Sequence, residues 1–177
     1  MKLNLIIKFL TVFILNSLGY TQCDTDEVEI WNFCYSIEET IMLQNTDDTS
    51  GDFPIEICSL VNLEILDMDI MFGNTNYVTG QIPDCIGGLS NLVHLNLAWN
   101  ELYGEIPESI GNLTNLTYFD VLSNQLTGEI PESIGNLINL TELNLGFNAF
   151  YGEIPESIGN LTQIEELYFS FNQFYGP

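Results

Sequence analysis

The chain has one histidine, His94, and four cysteines, Cys23, Cys34, Cys58 and Cys85. Nucleophilic catalysis needs a nucleophile beside a positioned base, and the base needs a group to orient it. A lone imidazole does not supply that, and His94 reads as a surface residue. Histidine and cysteine spacings that would hold zinc are absent. Carboxylates are plentiful, and they come in pairs: Glu105 with Glu108, Glu129 with Glu132, Glu153 with Glu156. A glycosidase needs one such pair in unlike environments. Here the same pair recurs every 24 residues, which argues for scaffold. No catalytic residue, metal site or cofactor is therefore expected. The remaining candidates are aromatic, acidic and amide side chains at repeat spacing, which are the materials of a binding surface.

Charge narrows the partners. The 177 residues carry 25 acidic side chains and two basic ones, for a formal net charge of −23. Both lysines, Lys2 and Lys8, lie in an N-terminal stretch with a short apolar run, Phe9 to Leu15, and small residues at Ser17 and Gly19. This is the pattern of a secretory signal peptide, assigned to residues 1–21. An uncleaved N-terminal anchor is the alternative. Lipid attachment at Cys23 fits less well, because Tyr20 and Gln22 are large. Cleavage would leave no lysine or arginine at all, and the chain is expected to be secreted or at the cell surface. Such a chain repels nucleic acid and anionic membranes, which are held by Lys and Arg contacts to phosphate. Its electrostatic partners are cations: a basic protein or peptide, or weakly bound Ca²⁺. The plain alternative is solubility in a salty medium. An even cysteine count behind a secretory signal points to two disulfides, and four cysteines allow three pairings.

The elements that would position these residues follow from a repeat. GEIPESIGNL occurs at Gly104, Gly128 and Gly152, and the glycines Gly80, Gly104, Gly128, Gly152 and Gly176 are 24 apart. Ahead of them stand LVHLNLAWN (from Leu92), LTYFDVLSN (from Leu116), LTELNLGFN (from Leu140) and IEELYFSFN (from Ile164). An earlier unit, LEILDM from Leu63, is interrupted near Asp69 to Asn74. Alternation within each unit is that of a strand with one buried face. The asparagine suits the turn that follows. The glycine permits an unusual backbone angle, and the proline sits where no ladder bond is needed. One unit cannot bury its own leucines, but a stack can. Leu92, Leu116, Leu140 and Ile164 would form one buried ladder, and Ile106, Ile130 and Ile154 another. The glutamates of the decapeptide are read as tolerated surface rows.

These units resemble the plant-type leucine-rich repeats, with the pattern L-x-x-L-x-L-x-x-N-x-L-x-G-x-I-P, over residues 51–177. The resemblance implies an α/β solenoid: a right-handed curved coil with a parallel β-sheet on its concave side and short 3₁₀ turns on its convex side. Receptor-like kinase ectodomains and polygalacturonase inhibitors are members, and they act by binding. Residues 22–50, with Trp31 to Cys34, are similar to the family's N-terminal cap, with a first strand near Thr40 to Leu43. In that cap a cysteine pair closes the hydrophobic end, a role that Cys23 and Cys34 suit. Cys58 and Cys85 each follow a repeat proline, which puts them on the same turn of adjacent coils, either bridged or as free buried thiols. Residues after Phe174 stop within a repeat, and the chain is read as a fragment of a longer one, an open end awaiting a partner being the alternative.

On this frame the variable strand positions should face solvent on the concave side. One column is His94, Tyr118, Glu142 and Glu166; the next is Asn96, Asp120, Asn144 and Tyr168; a third, just before the asparagines, holds Trp99, Phe147 and Phe171 with Ser123 among them. These are the expected ligand-binding residues, for a protein, peptide or glycan of cationic character. Inhibition of a secreted hydrolase is one form of that function. An acidic repeat array facing Ca²⁺ or ice is an alternative of another class. Tyr103, Tyr151 and Tyr175 form a structural ladder. Sequons stand at Asn112, Asn115, Asn139 and Asn160, glycosylation acceptors only in a eukaryotic secretory pathway; because N-L-T falls out of the repeat pattern, most are read as structural.

Overall fold

The computed structural model describes residues 23–44, 50–69 and 77–176. The expected signal segment and most of the interruption after Asp69 lie outside the described residues.

The described chain begins with an antiparallel hairpin of Glu27–Ile30 and Phe33–Ser36. Its two loop residues, Trp31 and Asn32, have φ of 47° and 65°, as a tight two-residue turn with left-handed corners requires. Cys23 is bridged to Cys34 in the second strand, with Cα atoms 5.4 Å apart. Ile30 is buried, and Val28, Trp31 and Tyr35 pack against the core.

Six short strands then form one parallel sheet: Met42–Gln44, Ile65–Asp67, His94–Asn96, Tyr118–Asp120, Glu142–Asn144 and Glu166–Tyr168. The first of these begins two residues after Thr40, the start expected from sequence, because Thr40 closes a backbone turn onto Ser36. The sheet thus starts within residues 22–50, where a first strand is expected. Register is uniform. Leu43, Leu66, Leu95, Phe119, Leu143 and Leu167 sit side by side, with Met42, Ile65, His94, Tyr118, Glu142 and Glu166 one residue earlier. Further short parallel ladders follow each turn, as between Val78–Gly80 and Glu101–Gly104.

On the far side each coil makes a 3₁₀ turn, such as Glu108–Asn112 and Glu132–Asn136. Pro107 and Pro131 precede them in extended conformation, where a fixed φ and a missing N–H cost nothing. Cys58 and Cys85 lie on two such turns, Ile55–Ser59 and Asp84–Gly88, and are bridged with Cα atoms 5.8 Å apart.

Leucine and isoleucine ladders fill the interior. Leu92, Leu116 and Leu140 are fully buried, as are Ile110 and Ile134. Ile106 and Ile130 are buried, but Ile154 in the last coil is 44% exposed and Leu167 39%, and Ile164 is only half-buried. The expected ladders are thus continuous until the last described coil, which has no neighbour to cover it.

Three features clamp the coils together. Asn124 donates from Nδ2 to the carbonyls of Val121 in its own coil and Leu97 in the preceding one, at 3.1 and 2.9 Å. Its Oδ1 accepts from the N–H of Leu102 at 3.0 Å. Asn100 and Asn148 repeat the arrangement. Each asparagine therefore satisfies backbone groups in two coils that would otherwise be buried without partners. The second feature is contact through glycine: a Cβ at Gly111 would lie 2.5 Å from the carbonyl oxygen of Ser133 in the next coil. The third revises the reading of the glutamates. Gly128 has φ of 85°, and a Cβ there would meet the Glu105 Cγ at 2.6 Å; Glu129 lies in the same way against Gly152. The first glutamate of each decapeptide lays its aliphatic stem on the glycine of the following coil, so it is a packing residue with a solvated head.

Candidate binding surface

The main sheet brings the first two expected columns onto one face and displays them unequally. In the strand-start column His94, Tyr118 and Glu142 are half-buried and Glu166 is exposed. In the next column Tyr168 is 45% exposed, but Asn96, Asp120 and Asn144 are only 7%, 6% and 9% exposed. The expectation that this whole column faces solvent is corrected for these three. Each carboxyl or amide oxygen turns back to accept the N–H two residues on: Asn96 from Ala98 at 3.1 Å, Asp120 from Leu122 at 2.7 Å, Asn144 from Gly146 at 3.1 Å. They end their strands as Asx turns, a role that strand alternation alone cannot reveal.

Asp120 is the hub of the polar network. Its second oxygen accepts from the Tyr118 hydroxyl and from Asn144 Nδ2, both at 3.2 Å. The Tyr118 ring stacks on His94, with centroids 4.3 Å apart. Burial pushes the Asp120 carboxyl above its usual range, against the pull of the Leu122 N–H and the Tyr118 and Asn144 donors. Glu142 is also raised, first by burial and then by the negative charges of Glu166 and Asp120. Asp69, a residue the sequence did not single out, is raised by burial and by Asp67 and Asp120. Its Oδ2 accepts from Asn96 at 3.4 Å. The Tyr168 hydroxyl donates to Glu166 at 2.7 Å. The face is therefore a crowded anionic surface. No lysine or arginine occurs among the described residues.

The third column forms a rim where the chain leaves the sheet. Trp99, Phe147 and Phe171 are 53%, 51% and 70% exposed. All three, and Ser123 with them, occupy the left-handed region, with φ of 58°, 52°, 59° and 56°. Their backbones are held in place: the N–H groups of Trp99, Ser123 and Phe147 donate to Leu122, Gly146 and Ser170 of the following coils at 2.8, 3.0 and 2.9 Å. The Phe147 and Phe171 rings stack with centroids 4.1 Å apart. Sequence reading found the aromatics and missed the backbone conformation, because left-handed φ is usually flagged by Gly or Asn and neither stands there.

The tyrosines Tyr103, Tyr151 and Tyr175 are 49%, 45% and 64% exposed. Tyr151 and Tyr175 line an open groove with the glutamate rows, away from the main sheet. The four sequon asparagines are all exposed, but Asn115 and Asn139 donate from Nδ2 to the carbonyls of Ser90 and Thr114, both at 2.8 Å. Among the described residues no group of metal-ligating side chains is placed to hold an ion, and no helix is long and apolar enough to cross a membrane.

A family model described as a leucine-rich repeat region matches residues 63–173. No curated protein matches the sequence significantly. Among solved structures, the ectodomain of the Arabidopsis thaliana receptor kinase GASSHO1/SCHENGEN3, in complex with CASPARIAN STRIP INTEGRITY FACTOR 2, is 38% identical with a TM-score of 0.66, over 71% of this chain and 14% of its own. The Arabidopsis receptor kinase HAESA, in complex with the peptide hormone IDA and the co-receptor SERK1, is 39% identical with a TM-score of 0.65, over 71% of this chain and 20% of its own. A plant ice-binding protein is 31% identical with a TM-score of 0.64, over 86% of this chain and 46% of its own. The chain thus spans less than half the length of each of these three. With its parallel strands, 3₁₀ turns and asparagine ladder matched over more than half its length, this chain belongs to the leucine-rich repeat family, in its plant type.

Proposed function

We propose that this chain is a secreted or cell-surface recognition module that binds a cationic protein or peptide across the main sheet and the rim beside it. The observation that carries the reading is the exposed aromatic rim, Trp99, Phe147 and Phe171, next to an anionic face with no lysine or arginine among the described residues. Rings supply apolar contact area at low entropic cost, and a uniform sign of charge selects partners of the opposite sign. Phe147 and Phe171 cover one face of each other, so each offers its edges and a single open plane. That favours the side chains of a protein over a sugar ring. The two disulfides suit an oxidising compartment. Binding, not catalysis, is the activity. The complexes of GASSHO1/SCHENGEN3 and HAESA support a peptide or protein partner by likeness, and inhibition of a basic hydrolase would be one form of the same activity.

Capture of partners from the surrounding medium tests this. The Trp99→Ala/Phe147→Ala double variant is expected to lose capture by at least about tenfold, the scale of one aromatic hot spot. Undiminished capture would sink the reading.

A second reading, an acidic array facing ice or Ca²⁺, is favoured only by the glutamate rows along one groove and the likeness to a plant ice-binding protein. Inhibition of ice recrystallisation, or a Ca²⁺-dependent rise in melting temperature, would separate it from the first.

A further inference from the structure

We propose that the gap over Ser123, between Trp99 and Phe147, is a slot for one cationic side chain, an arginine contributed by the partner. The inference rests on the recognition reading above and names what one part of that surface binds.

The rim column steps once per coil, in the order Trp99, Ser123, Phe147, Phe171. Their backbones share one conformation, so the positions are equivalent. Three carry a large ring, and the second carries a hydroxymethyl group. Phe147 and Phe171 stack face to face across the coil step, with an interplanar angle of 24°. Two rings stacked along the solenoid axis have their planes across that axis. The free face of Phe147 is therefore turned toward the coil of Ser123, where no ring meets it. Trp99, half-exposed, stands on the other side of that coil.

The width of the gap suits an ion. Neighbouring strands lie about 4.8 Å apart, so the backbones of Trp99 and Phe147, two coils apart, are separated by about 9.6 Å. A cation midway, over the free face of Phe147, is about 5 Å from that ring, inside the range of about 6 Å over which a ring face attracts it, and the exposed Trp99 side chain bounds the gap on its other side. Guanidinium is the better fit than ammonium, because it is planar, stacks on aromatic faces and sheds water more readily. A neutral aromatic ring would fill the same space, but the charge of the chain favours a cation. With a formal net charge of −23 and both lysines outside the described residues, the slot lies in a negative field that no lysine or arginine of the described chain relieves. An arginine laid on the Phe147 face also accounts for a small residue at this one step of the rim.

The experiment is an NMR titration of the purified chain with three small probes: the acetylated amides of arginine, lysine and phenylalanine. The arginine probe is expected to shift the Trp99 indole and Phe147 ring signals and to saturate in the millimolar range. The lysine probe should bind several-fold more weakly, and the phenylalanine probe should produce no saturable shift. Ser123→Phe fills the slot and should abolish the arginine response. The variant is compatible with the fold, since Phe147 already occupies the equivalent conformation, and an unchanged melting temperature would verify that; Ser123→Leu serves if it does not fold. Arginine shifts that persist in the filled variants overturn the proposal, as does equal or tighter binding of the lysine or phenylalanine probe. Because Ser123→Phe keeps Trp99 and Phe147, loss of the arginine response together with weakened partner capture supports the slot, whereas loss of the arginine response with undiminished capture overturns the partner's arginine as its occupant. Capture that survives the Trp99→Ala/Phe147→Ala change is instead the failure of the broader reading.

Discussion

Trp99, Phe147 and Phe171 hold large rings on left-handed backbone, and the balance of two magnitudes shows why they stay. A β-carbon in that region costs about 1–2 kcal/mol. Each ring is roughly half-covered, except Phe171, and covering about 100 Å² of apolar surface returns about 2.5 kcal/mol. Burial wins at Trp99 and Phe147. Ser123 has the same φ and no ring to cover, so its strain is offset only by the N–H bond to Gly146, which Trp99 and Phe147 match with their own. Replacing it with asparagine, which is several-fold enriched in this conformation, is expected to stabilise the chain by about 0.5 kcal/mol. Denaturant unfolding of Ser123→Asn checks this, and a decrease in midpoint would contradict it.

At the scale of the element, the repeat is held less by its strands than by what joins one coil to the next. The strands of the main sheet are three residues long, too short to stand alone. The decapeptide GEIPESIGNL places its first glycine under the glutamate of the preceding coil and its second against the backbone of the next, and they differ in kind. Gly128 is required for its positive φ, whereas Gly111 is required for space. Gly111→Ala is therefore expected to cost about 2–3 kcal/mol, since a methyl group driven into the Ser133 backbone must move a packed coil. Gly88→Ala is the control: it lies in the equivalent turn, nothing stands within 4 Å of its added methyl, and its effect should stay within about 0.5 kcal/mol. Chemical denaturation of the pair distinguishes packing from backbone freedom as the reason for these glycines.

For the whole molecule, charge sets the response to solution conditions. Three carboxylates of the main-sheet face, Asp69, Asp120 and Glu142, are raised above their usual range, and burial is the leading cause in each. Folding disfavours their charged forms. Their contribution to stability is complete below the ordinary carboxylate range, about pH 4, and is lost as pH rises through the folded values. The melting temperature is therefore expected to rise as pH falls from 7 toward about 4.5, and Asp120→Asn should flatten part of that rise. The stacked glutamate rows add repulsion at coil spacing that salt screens, so added NaCl at pH 7 should also raise the melting temperature. Scanning calorimetry against pH and ionic strength tests both, and a melting temperature indifferent to either contradicts the electrostatic account.

Periodicity by itself determined the coil. Leu92, Leu116 and Leu140 recur with the asparagines and glycines at one interval, and only a stack of coils can bury such a set. The same register placed Cys58 beside Cys85 and the three aromatics in one column. Tertiary structure decided which of the variable positions are available. Asn96, Asp120 and Asn144 read as displayed because strand alternation puts them outward, yet each folds back onto the N–H two residues on, a local bond that alternation does not encode. Glu105 and Glu129 read as free surface charge, yet their stems rest on glycines 23 residues away in the chain. The face of Phe147 left open above Ser123 also depends on contact between coils, because one ring's orientation is set by another ring 24 residues along.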